Sequence, residues 1–325
     1  MKATLDWYGC ATFRFTAGEL VVFLDAYIDR AEGAAGTGLT AGDIDRCDFV
    51  VVGHSHFDHL WGAERIARNT GATIIGSFET VRVMESQGVP LAQLIPVAGG
   101  ERIRLADQVS VSVYPSLHSC IWSPASAPDP SEVCIGDLGV LYQDRQARLG
   151  EMGHRLESLG PAVAGHRQAS EQGARGDGGA LCYVFDTPDG RLFYQDTSGY
   201  WTGVVQGLRP DVAIIAAAGR GNIDGEPIQG SLAQFVGRQA ALLRPRRVVL
   251  GHHDNWLPGF SASTDVAPFR EELDRFTPGV ALDELSYLDG HELFGGRLAG
   301  EGARHTPGSR VRPHGPQPVA DQPAK

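Results

Sequence analysis

Three imidazoles and a carboxylate fall within six residues of this chain, and no other stretch narrows so far what it can fold into. Residues 49–59 read FVVVGHSHFDH. The first four form an apolar run of the length of a buried strand, and Gly53 ends it by letting the backbone turn. His54, Ser55, His56, Phe57, Asp58 and His59 follow at once, a succession that packing alone hardly explains. Imidazole nitrogen suits zinc and other borderline transition metals, and a carboxylate extends the site to harder ions. On a loop, His54 and His56 can point one way while Asp58 and His59 reach a neighbouring position, which is the plan of a two-metal site. A solvated His-rich loop is the competing reading, but with 11 His in 325 residues this spacing is a rare accident.

The chain is long enough, at 42% hydrophobic residues, to bury a large core in one or two domains. No window approaches a run of 18 apolar residues, so no membrane span is expected. The start, MKATLDW, lacks the apolar core of a secretory signal, so a cytoplasmic location is the default expectation. Five cysteines, odd in number and without a CxxC pair, read as reduced thiols rather than a disulfide framework, and spacing alone makes none of them a metal ligand. A net charge of -11 argues against a general nucleic-acid or anionic-membrane binder, since those need clustered Lys and Arg. Lysine occurs only at Lys2 and Lys325, which nearly excludes a catalytic lysine.

Taken in order, residues 5–9, 12–15 and 20–24 have strand patterns, the third ending in Asp25. Residues 28–40 are rich in Ala and Gly and read as a loop. Helical periodicity over 60–67, a strand over 72–76 and a helix over 79–87 give the alternation of an α/β arrangement. Residues 109–114 alternate strictly as a strand, which Pro115 ends just before His118. Residues 119–179 break the pattern. Prolines forbid regular structure near 121–130, residues 143–159 are good helix formers, and 165–179 are polar and Gly-rich. Such an insert suits a lid or recognition element, or else a decorative or dimer-forming excursion, so a homo-oligomer is compatible. His154 and His166 within it read as surface residues. A hairpin with Asp-Gly turn chemistry at 180–194 leads into Asp196. A buried strand over 212–217 follows, then a helix over 231–243 capped by Ser231. The strand over 247–250 runs into His252 and His253, and residues 266–276 form a surface helix. The glycines at 219–221 do not make a dinucleotide fingerprint. From residue 296 the chain is Gly-, Pro- and Arg-rich without periodicity and reads as a disordered tail, leaving His305 and His314 without function.

The HxHxDH motif at the end of an apolar strand, with His118, Asp196 and His252 following in order after later strands, resembles the metallo-β-lactamase superfamily. The Trp7-Tyr8-Gly9 opening and the lack of a Cys ligand look most like its compact, ascorbate-phosphate lactonase-like branch. That resemblance implies an α+β fold, a four-layer αββα sandwich over residues 1–295, with 296–325 as tail. It implies that His54, His56 and His118 hold one metal, that Asp58, His59 and His252 hold a second, and that Asp196 spans both. The alternative is that His252 and His253 exchange places. Two zinc ions are the expected occupants, with manganese or iron as substitutes. Asp25 is expected either to orient a ligand or to cap a turn. The implied chemistry is hydrolysis of a small ester, lactone or phosphodiester by hydroxide shared between two metals. Asp58 would accept a proton and His253, facing the cavity, would supply one to the leaving group. Trp61, Trp122, Tyr200, Trp201 and Trp256 are candidates for an apolar pocket wall. An iron-dependent, dioxygenase-like oxidoreductase and a non-catalytic binding member are the other readings. The nuclease branch needs a clamp domain and a basic groove that this chain lacks.

Overall fold

The computed structural model describes residues 2–123, 129–170 and 173–295. The described residues 2–294 form one compact unit. The expected tail at 296–325, with His305 and His314, lies outside the described residues.

The first half runs β1 (Ala3–Gly9), β2 (Thr12–Ala17), β3 (Leu20–Leu24), β4 (Phe49–Val51), α1 (Phe57–Leu60), α2 (Ala63–Thr70), β5 (Thr73–Ser77), α3 (Phe78–Ser86) and β6 (Leu94–Val97). The second begins with β7 (Arg102–Ala106) and β8 (Val109–Pro115), passes through the insert helices α4 (Tyr142–Glu157) and α5 (Pro161–Ser170), and resumes at β9 (Leu181–Asp186) and β10 (Arg191–Tyr194). It continues through β11 (Gly199–Tyr200), α6 (Thr202–Val205), β12 (Val212–Ala216), β13 (Asn222–Ile223), β14 (Glu226–Pro227), α7 (Leu232–Leu243), β15 (Arg247–Gly251), α8 (Ala267–Phe276), β16 (Ala281–Asp283) and β17 (His291–Glu292).

Two seven-stranded sheets result, in the orders β17-β1-β2-β3-β4-β5-β6 and β16-β15-β12-β10-β9-β8-β7. In each, antiparallel pairing gives way to parallel pairing, at β3 to β4 in the first and at β10 to β12 in the second. Alternation along the strands divides their apolar residues between two faces. Phe13, Phe15, Leu24, Val111, Phe185 and Tyr194 belong to the core between the sheets. Phe23, Val50 and Ile74 meet Ile66 and Met84 of α2 and α3. Val184, Ile215 and Val248 meet Phe235, Val236 and Phe269 of α7 and α8. The layers are therefore helix, sheet, sheet, helix, as the resemblance implied. No helix among the described residues is long and apolar enough to cross a membrane.

Three local expectations change. Residues 57–59, read as part of a loop, wind with Leu60 into the single turn of α1 with His56 at its N-cap. Strands β6 and β7 lie at the outer edges of their sheets. One is a run of four apolar residues interrupted by Pro96 and the other is half-exposed with two arginines, and neither was assigned as a strand from the sequence. Helix α5 occupies the front of the Gly-rich stretch and, with α4, packs Val163 and Leu156 on Tyr27, Trp256 and Leu257.

Candidate metal centre

Four of the candidate side chains leave the end of a strand, while Asp58 and His59 lie on α1. His54 follows β4, His118 follows β8, Asp196 follows β10 and His252 follows β15. These ends lie together because the sheets are tied across their interface. Leu181 N–H donates to the Gly53 carbonyl at 2.8 Å, the Tyr183 hydroxyl to Val52 O at 2.7 Å, and His252 N–H to Cys10 O at 2.7 Å.

Hydrogen bonds fix which ring nitrogen of four histidines is left bare. His54 Nδ1–H donates to Asp196 Oδ2 at 2.6 Å, so its Nε2 carries a lone pair. His56 Nε2–H donates to the carbonyl of Gly176 at 2.8 Å, which leaves Nδ1 bare, 3.1 Å from His54 Nε2. His118 Nδ1–H donates to Ser119 O at 2.9 Å. The three imidazoles thus bring lone pairs together, each offering a ring nitrogen within 4.8 Å of the others. A second focus lies alongside. His59 Nδ1–H donates to Asp25 Oδ2 at 2.6 Å. Asp58 Oδ2 then stands 3.3 Å from both His59 Nε2 and His252 Nε2. Asp196 lies between the foci, with Oδ2 also 3.3 Å from His59 Nδ1 and Oδ1 buried without a partner.

Charge states agree with this geometry at His54, His118 and Asp58; at His59 burial would lower the imidazole, but Asp58, Asp25 and Asp196 outweigh it and raise it well above its usual range. Burial, then the neighbouring rings His59 and His56, lowers the His54 imidazole well below its usual range. Burial, His54 and His56 do the same to His118, so both are neutral, the form that binds metal. Burial would raise Asp58, but His59 and His252 outweigh it and hold the carboxyl well below the usual range. Burial and the charge of Asp196 push Asp25 up to about 7 against the pull of His59. Imidazole nitrogens facing one another across 3.1 Å, and a wholly buried carboxylate with one oxygen unsatisfied, form a donor set that fits divalent metal ions.

Residues 21–137 match the beta-lactamase superfamily domain. A UPF0173 metal-dependent hydrolase of Pyrobaculum arsenaticum is 34% identical over 115 residues, which is 35% of this chain and 50% of the relative. The chain spans about half the length of the first curated relatives it matches. Among solved structures, a metallo hydrolase from the archaeon Ignicoccus hospitalis superposes at TM-score 0.57 with 15% identity, covering 89% of this chain and 97% of that one. An isothiocyanate hydrolase from Delia radicum gut bacteria does so at TM-score 0.53 with 15% identity, covering 89% and 97%. At such identities the structural likeness is one of fold. Residues 21–137 thus resemble the beta-lactamase superfamily domain, and the described fold is that of the solved metallo hydrolase.

All seven residues that the superfamily resemblance pointed to are brought together. His253 is not among them, which corrects the expectation that it faces the cavity. It lies flat on Trp7, with ring centroids 4.6 Å apart and planes 3° apart, while His252 turns toward Asp58 from a left-handed backbone with φ of 64°. Asp25 combines both roles expected of it, since its Oδ1 accepts Gly53 N–H at 2.8 Å while Oδ2 holds His59. Gln195, next to Asp196, donates its amide N–H to Ser116 Oγ at 2.9 Å. His166 is half-buried rather than a plain surface residue, with Nε2 2.7 Å from the Tyr27 hydroxyl.

A cavity of about 1050 Å³ opens over the centre and reaches His56, Asp58, His59, His118 and His252. Of the five aromatic candidates it takes Trp122 and Trp256, whereas Tyr200 is buried in the core around α7. The insert contributes Met152 and Leu156 to the wall. Two contributions had no signal in the sequence. The carbonyl of Gly176 belongs to a backbone that any residue could supply, and Cys10 approaches the second focus from 48 residues before Asp58.

Proposed function

We propose that this chain is a metal-dependent hydrolase whose seven donors hold two divalent cations, zinc first among them, and whose substrates are small esters, lactones or phosphodiesters with an apolar portion. His54, His56 and His118 would hold one ion, Asp58, His59 and His252 the other, with Asp196 shared. The observation that carries this reading is the set of bare donor atoms turned on one another. When bound, such a pair supplies an activated water and polarises the scissile oxygen. The chain's own groups do the rest. Asp25 and Gly176 O hold His59 and His56 in the tautomers that bind metal. Asp58, on the cavity wall, is placed to take the proton lost by the attacking water. Ile121, Trp122, Met152, Leu156 and Trp256 offer an apolar wall to the substrate's hydrocarbon part. The net charge of -11 disfavours polyanions. His253, stacked on Trp7, has no part in the reaction. Five free cysteines, four of them buried, support a reducing cytoplasmic setting.

The test is elemental analysis of purified protein, followed by a screen of lactones, phosphodiesters, acyl-thioesters and isothiocyanates with and without chelator, beside an oxygen electrode. The last substrates enter because of the solved isothiocyanate hydrolase. About two metals per chain, chelator-sensitive hydrolysis and a silent electrode are expected. Iron with oxygen consumption would replace this reading with an oxidoreductase, and metal-free protein would end it.

A further inference from the structure

The turn between β1 and β2 carries a thiol to the second focus. Cys10 is fully buried and takes a left-handed backbone with φ of 51°. Its N–H donates to both oxygens of Asp254 at 3.0 and 3.1 Å, and its carbonyl accepts from Trp7 Nε1 at 3.0 Å and from His252 N–H at 2.7 Å. These contacts leave the side chain one direction, toward Asp58, whose backbone carbonyl lies 3.6 Å from Sγ. Sγ, a carboxylate oxygen of Asp58 and a ring nitrogen of His252 all lie within 4.8 Å of one another. On a tetrahedral zinc ion a sulfur and a nitrogen donor stand about 3.6 Å apart at the usual bond lengths, so the three groups would draw together by roughly an ångström on binding. A second observation points to a ligand at the same place. Asp196, whose Oδ2 is 3.3 Å from His59 Nδ1, is wholly buried and its Oδ1 has no partner. Among the described residues, none of the other four cysteines belongs to such a cluster.

We propose that Cys10 is a further ligand of the second metal position, which becomes a mixed sulfur, nitrogen and oxygen site. This rests on the two-metal reading above. As the metal–sulfur bond forms, the S–H bond breaks and its proton leaves to solvent, with no change of oxidation state. Burial raises the free thiol, but a coordinating thiol is deprotonated outright. The consequence is selectivity. Thiolate ligation favours zinc-like ions, whereas carboxylate and water suit manganese and magnesium, so the second position discriminates where an all-imidazole and carboxylate site would not.

Cobalt(II) substitution of the full-length protein tests this, because cobalt reports thiolate ligation by a near-ultraviolet charge-transfer band separate from its visible ligand-field bands. The wild type is expected to show both. Cys10→Ser should keep the visible bands, lose the near-ultraviolet one, bind the second cobalt at least about tenfold more weakly and release one proton fewer in titrations run in two buffers. Cys47→Ser, a buried thiol outside the clusters, should keep the band. Visible bands without a near-ultraviolet band in the wild type would overturn the role of Cys10 and leave the two-metal reading standing. Failure to bind cobalt at all would overturn both. Should Cys10→Ser not fold, the wild-type spectrum with the Cys47→Ser control still decides.

Discussion

At Gly53 the absence of a side chain is a spatial requirement. A Cβ there would lie 2.0 Å from Asp196 Cγ, so the carboxylate occupies the room that any other residue would need. The sequence reading gave Gly53 a turning role, yet its backbone is not in the left-handed region. Gly53→Ala is expected to cost about 1–3 kcal/mol through overpacking and to lower metal content out of proportion to that loss. Wild-type metal binding in a folded Gly53→Ala protein would contradict the account. At His253 the expectation runs the other way. Removing its ring gives up the stack on Trp7, about 0.5–1.5 kcal/mol, and should leave the pH profile of turnover intact. A lost limb in that profile would return the residue to the chemistry.

Among the elements, the insert behaves as part of the centre. Besides the Gly176 carbonyl on His56, Gly178 O accepts from Ser55 N–H at 3.2 Å and from Ser77 Oγ at 3.1 Å, and Glu79 Oε1 receives Arg175 N–H at 2.7 Å. Glu79→Ala is therefore expected to speed proteolysis at 173–179 and to weaken the first metal position by roughly tenfold, the low end of what loss of support behind a ligand costs. Limited proteolysis and metal titration check this, and unchanged affinity after cleavage would detach the insert from the centre. Elements with strong local signals were legible beforehand. The helix over 231–243 appears as α7 with Ser231 accepting Gln234 N–H in a capping box. The edge strands β6 and β7 were not, because an edge is shielded on fewer sides and its pattern carries less of the core's demand.

Two predictions belong to the whole molecule. Ligands that bind only the folded state stabilise it by mass action, about 4 kcal/mol at a thousandfold excess over Kd. Chelated protein should accordingly melt at a lower temperature, and equal melting with and without metal would exclude tight binding. Burial pushes the thiols of Cys47, Cys120 and Cys182 up to about 12. Their folded values exceed the unfolded one, so the stability they contribute is whole below about pH 8.5 and is lost as pH rises toward 12, up to about 1.4 kcal/mol per unit for each. Urea unfolding at pH 8 and pH 10 should show the fall, with a shallower slope in Cys182→Ala. The sequence by itself determined the donor types, their order and the strand ends that bear them, because metal chemistry and strand periodicity are written locally. Only the tertiary structure decided that His252 and not His253 joins Asp58, that Gly53 yields its space to Asp196, and that Cys10 and the Gly176 carbonyl arrive at the site. Those outcomes depend on how two sheets pack and which way a chain turns where they meet, and contacts between residues so far apart in sequence leave no mark in local pattern.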